Sequence, residues 1–146
     1  ISFVTDYGIS DKGFTIMYQA VSMYDGTCPA KTTITSSTGI IGDGAGTYPG
    51  GLLCEWDFAL GHAVDLAVVS FDLAPTLDFL NLFTSDGISQ SHYTGSLQPF
   101  FIPDVQDLSY VTLATDVSSI NRWGITVLYG TRDLEYDPNE ACGIEG

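Results

Sequence analysis

The chain has 146 residues, enough for one domain with its own core and some surplus. Eighteen Asp and Glu residues face only Lys12, Lys31, Arg122 and Arg132, giving a net charge of −14, and the mean hydropathy is +0.18. That charge argues against nucleic acid and anionic membranes as partners, and no apolar run approaches the roughly 20 residues that would insert as a helix.

Taken in chain order, Ile1–Asp6 and Gly13–Tyr18 read as two β-strands, and Thr32–Thr38 as an edge strand or loop that is open to O-linked sugar. Gly42-Asp43-Gly44-Ala45-Gly46 lacks the lysine and the strand-to-helix setting of a phosphate loop, so it is expected to be a flexible turn. Cys54, Trp56, Phe58 and Leu60 alternate with Glu55, Asp57 and Ala59, which buries one face of a strand and places Trp56 in the core. Further strands are expected at 63–71, 77–83, 108–114 and 124–129, with a turn at Ser85-Asp86-Gly87. No stretch has sustained helical periodicity with caps. The fold class is therefore all-β, with two antiparallel sheets packed as a sandwich.

The sequence also repeats itself. Ile1-Ser2-Phe3-Val4-Thr5-Asp6 followed by Gly13-Phe14-Thr15-Ile16-Met17-Tyr18 returns as Val111-Thr112-Leu113-Ala114-Thr115-Asp116 followed by Gly124-Ile125-Thr126-Val127-Leu128-Tyr129. Asp6 and Asp116 lie 110 positions apart, Tyr18 and Tyr129 lie 111 apart, and Cys28 and Cys142 lie 114 apart. A period of one domain length predicts tandem modules. The chain, which starts at Ile1 without a methionine, then reads as a stretch of a longer protein with an unfinished module at each end.

Three cysteines are an odd number. A bridge between Cys28 and Cys54, 26 positions apart, would stabilise by about 3–4 kcal/mol and imply an oxidising, extracellular compartment. Cys142 then corresponds to Cys28 in a following module, or is a free thiol or an intermolecular partner. His62 and His92 stand 30 positions apart, outside any metal or nucleophile spacing, and are expected on exposed loops. No nucleophile elbow and no Asn-x-Ser/Thr acceptor occurs. These absences point away from an enzyme. Trp123, before Gly124 on an expected loop, is the candidate interaction residue.

Several ordered landmarks together resemble the CUB domain family. They are Cys28, Gly39-Ile40-Ile41, Tyr48-Pro49, Cys54-Glu55-Trp56, Phe71-Asp72-Leu73, Asp78-Phe79-Leu80, Asp86-Gly87, Gly95, Thr115-Asp116 and the closing Gly124–Tyr129. The resemblance implies a jelly-roll type sandwich with a complete module at residues 25–132, the last two strands of a preceding one at 1–24, and the start of another at 133–146. Pro75 and Thr94 stand where many CUB domains carry a second disulfide. The resemblance also implies a calcium site. Asp78 and Asp116 match its aspartates while Ala74 stands in place of its glutamate, so affinity falls unless Asp72, carbonyls or water compensate. Read from the residues alone, the two aspartates cap turns and face solvent, and no cofactor is required.

The function expected is a non-enzymatic, extracellular CUB-type module of a tandem-repeat protein. Its partners are proteins, namely neighbouring modules or identical chains in a structural or fibre assembly. The alternatives are a ligand-binding module of a receptor or soluble factor with a degenerate calcium site, or an accessory domain of a secreted protease.

Overall fold

The computed structural model describes Cys28 and residues 30–44, 46–119 and 121–132. The unfinished modules expected at 1–24 and 133–146, with Cys142, lie outside the described residues. Within them the chain forms β1 (Thr32–Ile34), β2 (Thr38–Gly42), β3 (Leu53–Phe58), β4 (Val64–Asp72), β5 (Phe79–Thr84), β6 (Ser89–Tyr93), β7 (Phe100–Val105), β8 (Leu108–Ala114) and β9 (Gly124–Thr131), and no helix.

One sheet runs β1-β3-β8-β5-β6 and the other β2-β9-β4-β7. Alternation explains the core. Cys54, Trp56 and Phe58 on β3, with Leu80 and Leu82 on β5 and Val111 and Leu113 on β8, face inward from the first sheet. Ile41, Leu66, Val68, Phe71, Ile125, Val127 and Tyr129 meet them from the second. Each fully buried side chain of this size contributes roughly 1.5–3 kcal/mol by leaving water. Tyr93, Phe71 and Phe100 close the side between β6 and β7, with ring centroids 5.0–6.4 Å apart. On the opposite side Gly39 pairs with Tyr129, whose ring occupies the space a Cβ at residue 39 would need.

The sandwich is antiparallel except where β1 lies parallel to β3, Thr32 opposite Trp56. A disulfide joins Cys28, just before β1, to Cys54 on β3, with a Cα–Cα distance of 5.7 Å. The strand expected at 77–83 starts two residues later, because Pro75–Leu77 form a turn with Thr76 at φ 65°. The expected turn at Ser85-Asp86-Gly87 is present, with Asp86 Oδ1 accepting from Thr84 Oγ1 (2.6 Å) and from the Ile88 amide (3.0 Å).

Candidate functional site

Strands β5 and β8 are neighbours with Phe79 opposite Ala114, so Asp78, preceding one, and Thr115-Asp116, following the other, emerge at the same end of the sandwich. The β2–β3 loop joins them. The Leu52 amide donates to Thr115 Oγ1 (2.8 Å), the Gly51 amide to the Asp116 carbonyl (3.1 Å) and the Tyr48 amide to the Arg122 carbonyl (3.1 Å). Gly50 permits this approach, since a Cβ there would collide with the carbonyls of Asp116, Val117 and Ser119.

Asp78 sits at the centre and is fully buried, which corrects its reading as a solvent-facing turn cap. Its Oδ1 accepts from the Asp116 amide (2.7 Å) and Ser119 Oγ (2.6 Å), and its Oδ2 from the Tyr48 hydroxyl and the Ala74 amide (3.2 Å). Burial alone would raise the pKa of Asp78, but the bonds from Ser119, Tyr48 and the Asp116 and Ala74 amides outweigh it and hold the carboxyl below the ordinary range. Burial, and then the bond to this carboxylate, push the Tyr48 hydroxyl up, so it stays a donor. Asp116 is half-buried and turns outward, its Oδ1 accepting from the Ser118 amide (2.8 Å) and hydroxyl (2.6 Å). Asp78 and Asp116 therefore meet through the Asp116 backbone and not through two converging carboxylates.

Asp43 is a second correction. In place of a flexible turn, its side chain is buried and its Oδ1 accepts from the Ile125 amide (2.6 Å). Gly124, at φ 74°, is required there because a Cβ would fall on that carboxylate. Burial raises the pKa of Asp43, offset in part by the Ile125 amide. Beside it, Asp72 accepts from Arg122 Nη1 (3.2 Å) and the Trp123 amide (3.1 Å), which fixes the loop that carries Trp123, 65% exposed.

Thr94 and Pro75 stand close together, and hydrogen bonds do the joining. Thr94 Oγ1 accepts from the Thr76 amide (3.1 Å) and donates to the Ala74 carbonyl (3.3 Å). His62 and His92 are exposed, though His92 lies on β6 against Phe79 and not on a loop. Sequence reasoning missed Ser119 and Asp43. The Asp-x-x-Ser spacing from Asp116 was the available signal for the first, and the glycines flanking Asp43 were the signal for the second.

Calcium requires six to eight oxygens. All four lone-pair positions of Asp78 are taken by protein donors, Ala74 offers a methyl group, and Asp116 Oδ1 is engaged by Ser118. Among the described residues no group of three or more His, Cys, Asp or Glu is placed to hold a metal. The residues present do not fit calcium in this arrangement.

No family model and no curated protein sequence matches the chain. Solved structures match by shape. The CUB1-EGF-CUB2 domains of rat MASP-1 superpose with a TM-score of 0.59 at 16% identity, over 80% of this chain and 47% of that one. The MASP-1 CUB2 domain bound to Ca2+ gives 0.58 at 21% identity, over 73% of this chain and 99% of that one. The full extracellular region of zebrafish Gpr126/Adgrg6 gives 0.57 at 18% identity, over 72% of this chain and 15% of that one. The chain thus spans less than half of the rat MASP-1 piece, and at these identities the likeness is one of fold.

Proposed function

Because the described residues fold as a CUB-type β-sandwich, we propose that this chain is a non-catalytic module of an extracellular tandem-repeat protein that makes protein–protein contacts in a structural assembly. The observation carrying this reading is the loop end around Asp78. Four donors from three loops converge on one buried carboxylate, and the same loops hold Trp123 and Val117 in solvent, 65% and 84% exposed. Apolar anchors on backbone that is already ordered bind without a large further entropic cost. The Cys28–Cys54 bridge fits an oxidising compartment, and the repeat of Gly124–Tyr129 at Gly13–Tyr18 fits a tandem series. Size-exclusion chromatography with light scattering on the native full-length protein is expected to show assemblies above the monomer. A strict monomer at every concentration overturns the reading.

The calcium-bound state of the MASP-1 CUB2 domain favours a second reading, capture of a basic protein through a cation held by Asp78 and Asp116. In the proposed reading the hydrogen bonds to Asp78 serve instead of the cation. Calorimetric titration with calcium is then expected to be silent, whereas heat that Asp116→Ala abolishes would establish the second reading.

A further inference from the structure

Strand register places an apolar row on the outer face of each sheet: Ile40–Leu128–Ala67–Phe101 across the four-stranded one and Leu53–Ala114–Phe79 across the five-stranded one. Exposure does not tell them apart, with Phe101 at 54% and Leu53 at 65%. The path of the chain does. Leu53 precedes Cys54, whose sulfur is bonded to Cys28 ahead of β1. The two cysteine Cα atoms are 5.7 Å apart, and one further step of about 3.8 Å puts the Cα of Leu53 within about 9.5 Å of that of Cys28. Val117 extends the same patch, because its Cγ1 lies 3.2 Å from where a Cβ of Gly51 would stand, two residues before Leu53. Phe79 and Ala114 are half-buried behind them. Chain that leads into Cys28 therefore enters beside an uncovered apolar patch.

The sequence ahead of Cys28 suits that patch. Val21-Ser22-Met23-Tyr24 offers three apolar side chains and no charge, and Asp25-Gly26 is a tight-turn pair placed to reverse the chain before Cys28. Tyr24 stands four positions ahead of Cys28, a reach of at most about 14 Å, which covers the distance to Leu53. Other occupants fare worse. A second copy of the chain carries −14 and is repelled. The exit of this module is remote, since β9 runs from Gly124 to Thr131 and the Arg132 amide bonds the Ala63 carbonyl at the opposite end of the sandwich, about 23 Å away. The residues there, Arg132-Asp133-Leu134-Glu135, are charged at three of four positions. We propose that residues 21–24 fold back over β3 and pack on Leu53, Val117 and Phe79 of the same chain. Attachment at Cys28 makes the encounter intramolecular, at an effective concentration on the order of millimolar, so modest apolar burial holds it. By the repeat, Gly13–Ala20 corresponds to Gly124–Thr131, which makes residues 21–27 the linker between two modules. The contact then fixes the angle at which one module follows the other. That consequence rests on the tandem reading, whereas the contact itself lies within one chain.

Chymotrypsin cleavage of the native chain after Tyr24, followed by mass spectrometry at a concentration where light scattering reports a monomer, tests the contact. A seated segment is cut only in the fraction of molecules in which it has opened. Nuclear Overhauser contacts between the Tyr24 ring and the methyl groups of Leu53 and Val117 are expected in the same sample. Leu53→Thr combined with Val117→Thr, uncharged changes at two exposed positions, is expected to remove those contacts and to speed the cleavage at least about tenfold, with Tm of the sandwich little changed. Either substitution alone is expected to act in the same direction by less. Ile88→Thr, 64% exposed in the turn at the other end, is expected to change nothing. Cleavage of the wild type as fast as that of a free peptide of residues 18–30 overturns the proposal. Slow cleavage that neither substitution alters overturns it by placing the segment elsewhere. Protection that appears only as copies associate makes a second copy the occupant and overturns it as well. A full-length protein that stays monomeric removes the assembly reading and leaves this contact standing.

Discussion

A carboxylate removed from water survives only where donors meet its charge, and Asp78, at 0% exposure, is met by four. Asp78→Ala strands those donors in the interior, and a loss of about 3–5 kcal/mol is expected, measured by chemical denaturation. Asp78→Asn keeps one acceptor and is expected to lose less. The pH dependence has a definite sign. The folded-state pKa of Asp78 lies below the unfolded value of about 3.9, so its contribution is full above that value and is lost as pH falls through the folded value. Between about pH 5 and pH 2 the stability of the wild type should fall more steeply than that of Asp78→Asn. Parallel slopes would place the acid sensitivity elsewhere. Asp43 acts in the opposite sense: its raised pKa favours the folded state at acid pH and gives that up as pH rises. Asp78 stood out only through the ordered CUB-like landmarks and Asp43 only through its flanking glycines, and neither signal gave burial, because a buried Asp and a turn Asp are spelled identically. Only the donors that surround each one distinguish them.

At the level of elements, legibility followed hydrophobic pattern. β3, β4, β5, β8 and β9 carry alternating or continuous apolar residues and were placed within two residues of their observed ends. β1 falls within the stretch Thr32–Thr38, expected as an edge strand or loop, and β2, β6 and β7 were not singled out as strands. The first has three residues in a Thr/Ser run, β2 holds two glycines, β6 reads Ser-Gln-Ser-His-Tyr, and β7 contains Pro103, which an edge strand tolerates and an interior strand does not. Edges are decided by which neighbour is present. β1 depends most on such support: three residues in a parallel pairing are held by the adjoining disulfide and by Lys31 reaching Glu55 (2.7 Å) and Asp57 (2.9 Å), surface pairs that contribute little. Replacing both Cys28 and Cys54 with Ala is expected to cost about 3–4 kcal/mol and lower Tm by roughly 10–20 °C in scanning calorimetry. A shift of one or two degrees would show that β1 and its loop are ordered without the bridge.

For the whole molecule the dominant electrostatic fact is the net charge of −14, with exposed ion pairs too few to balance it. Self-repulsion disfavours the compact state and is screened over about 10 Å at 0.1 M salt. Raising NaCl from about 20 mM to 0.5 M is therefore expected to raise Tm of the monomer by a few degrees, read at low protein concentration where association does not contribute. A falling Tm would mean that the ion pairs of Lys31, Arg122 and Arg132 outweigh the repulsion.

The amino-acid order alone determined the all-β class, the strands that build the core, the position of Trp56 and the one-domain period, because burial of alternate residues is a local property that a pattern records. Tertiary structure decided which aspartate is buried, why residue 124 must be glycine, and that Ile40, Leu128, Ala67 and Phe101 share one outward row. Those facts depend on register between strands whose paired residues, such as Thr38 and Gly130, lie up to 92 positions apart in the chain, and register is set by how two sheets close over a common core.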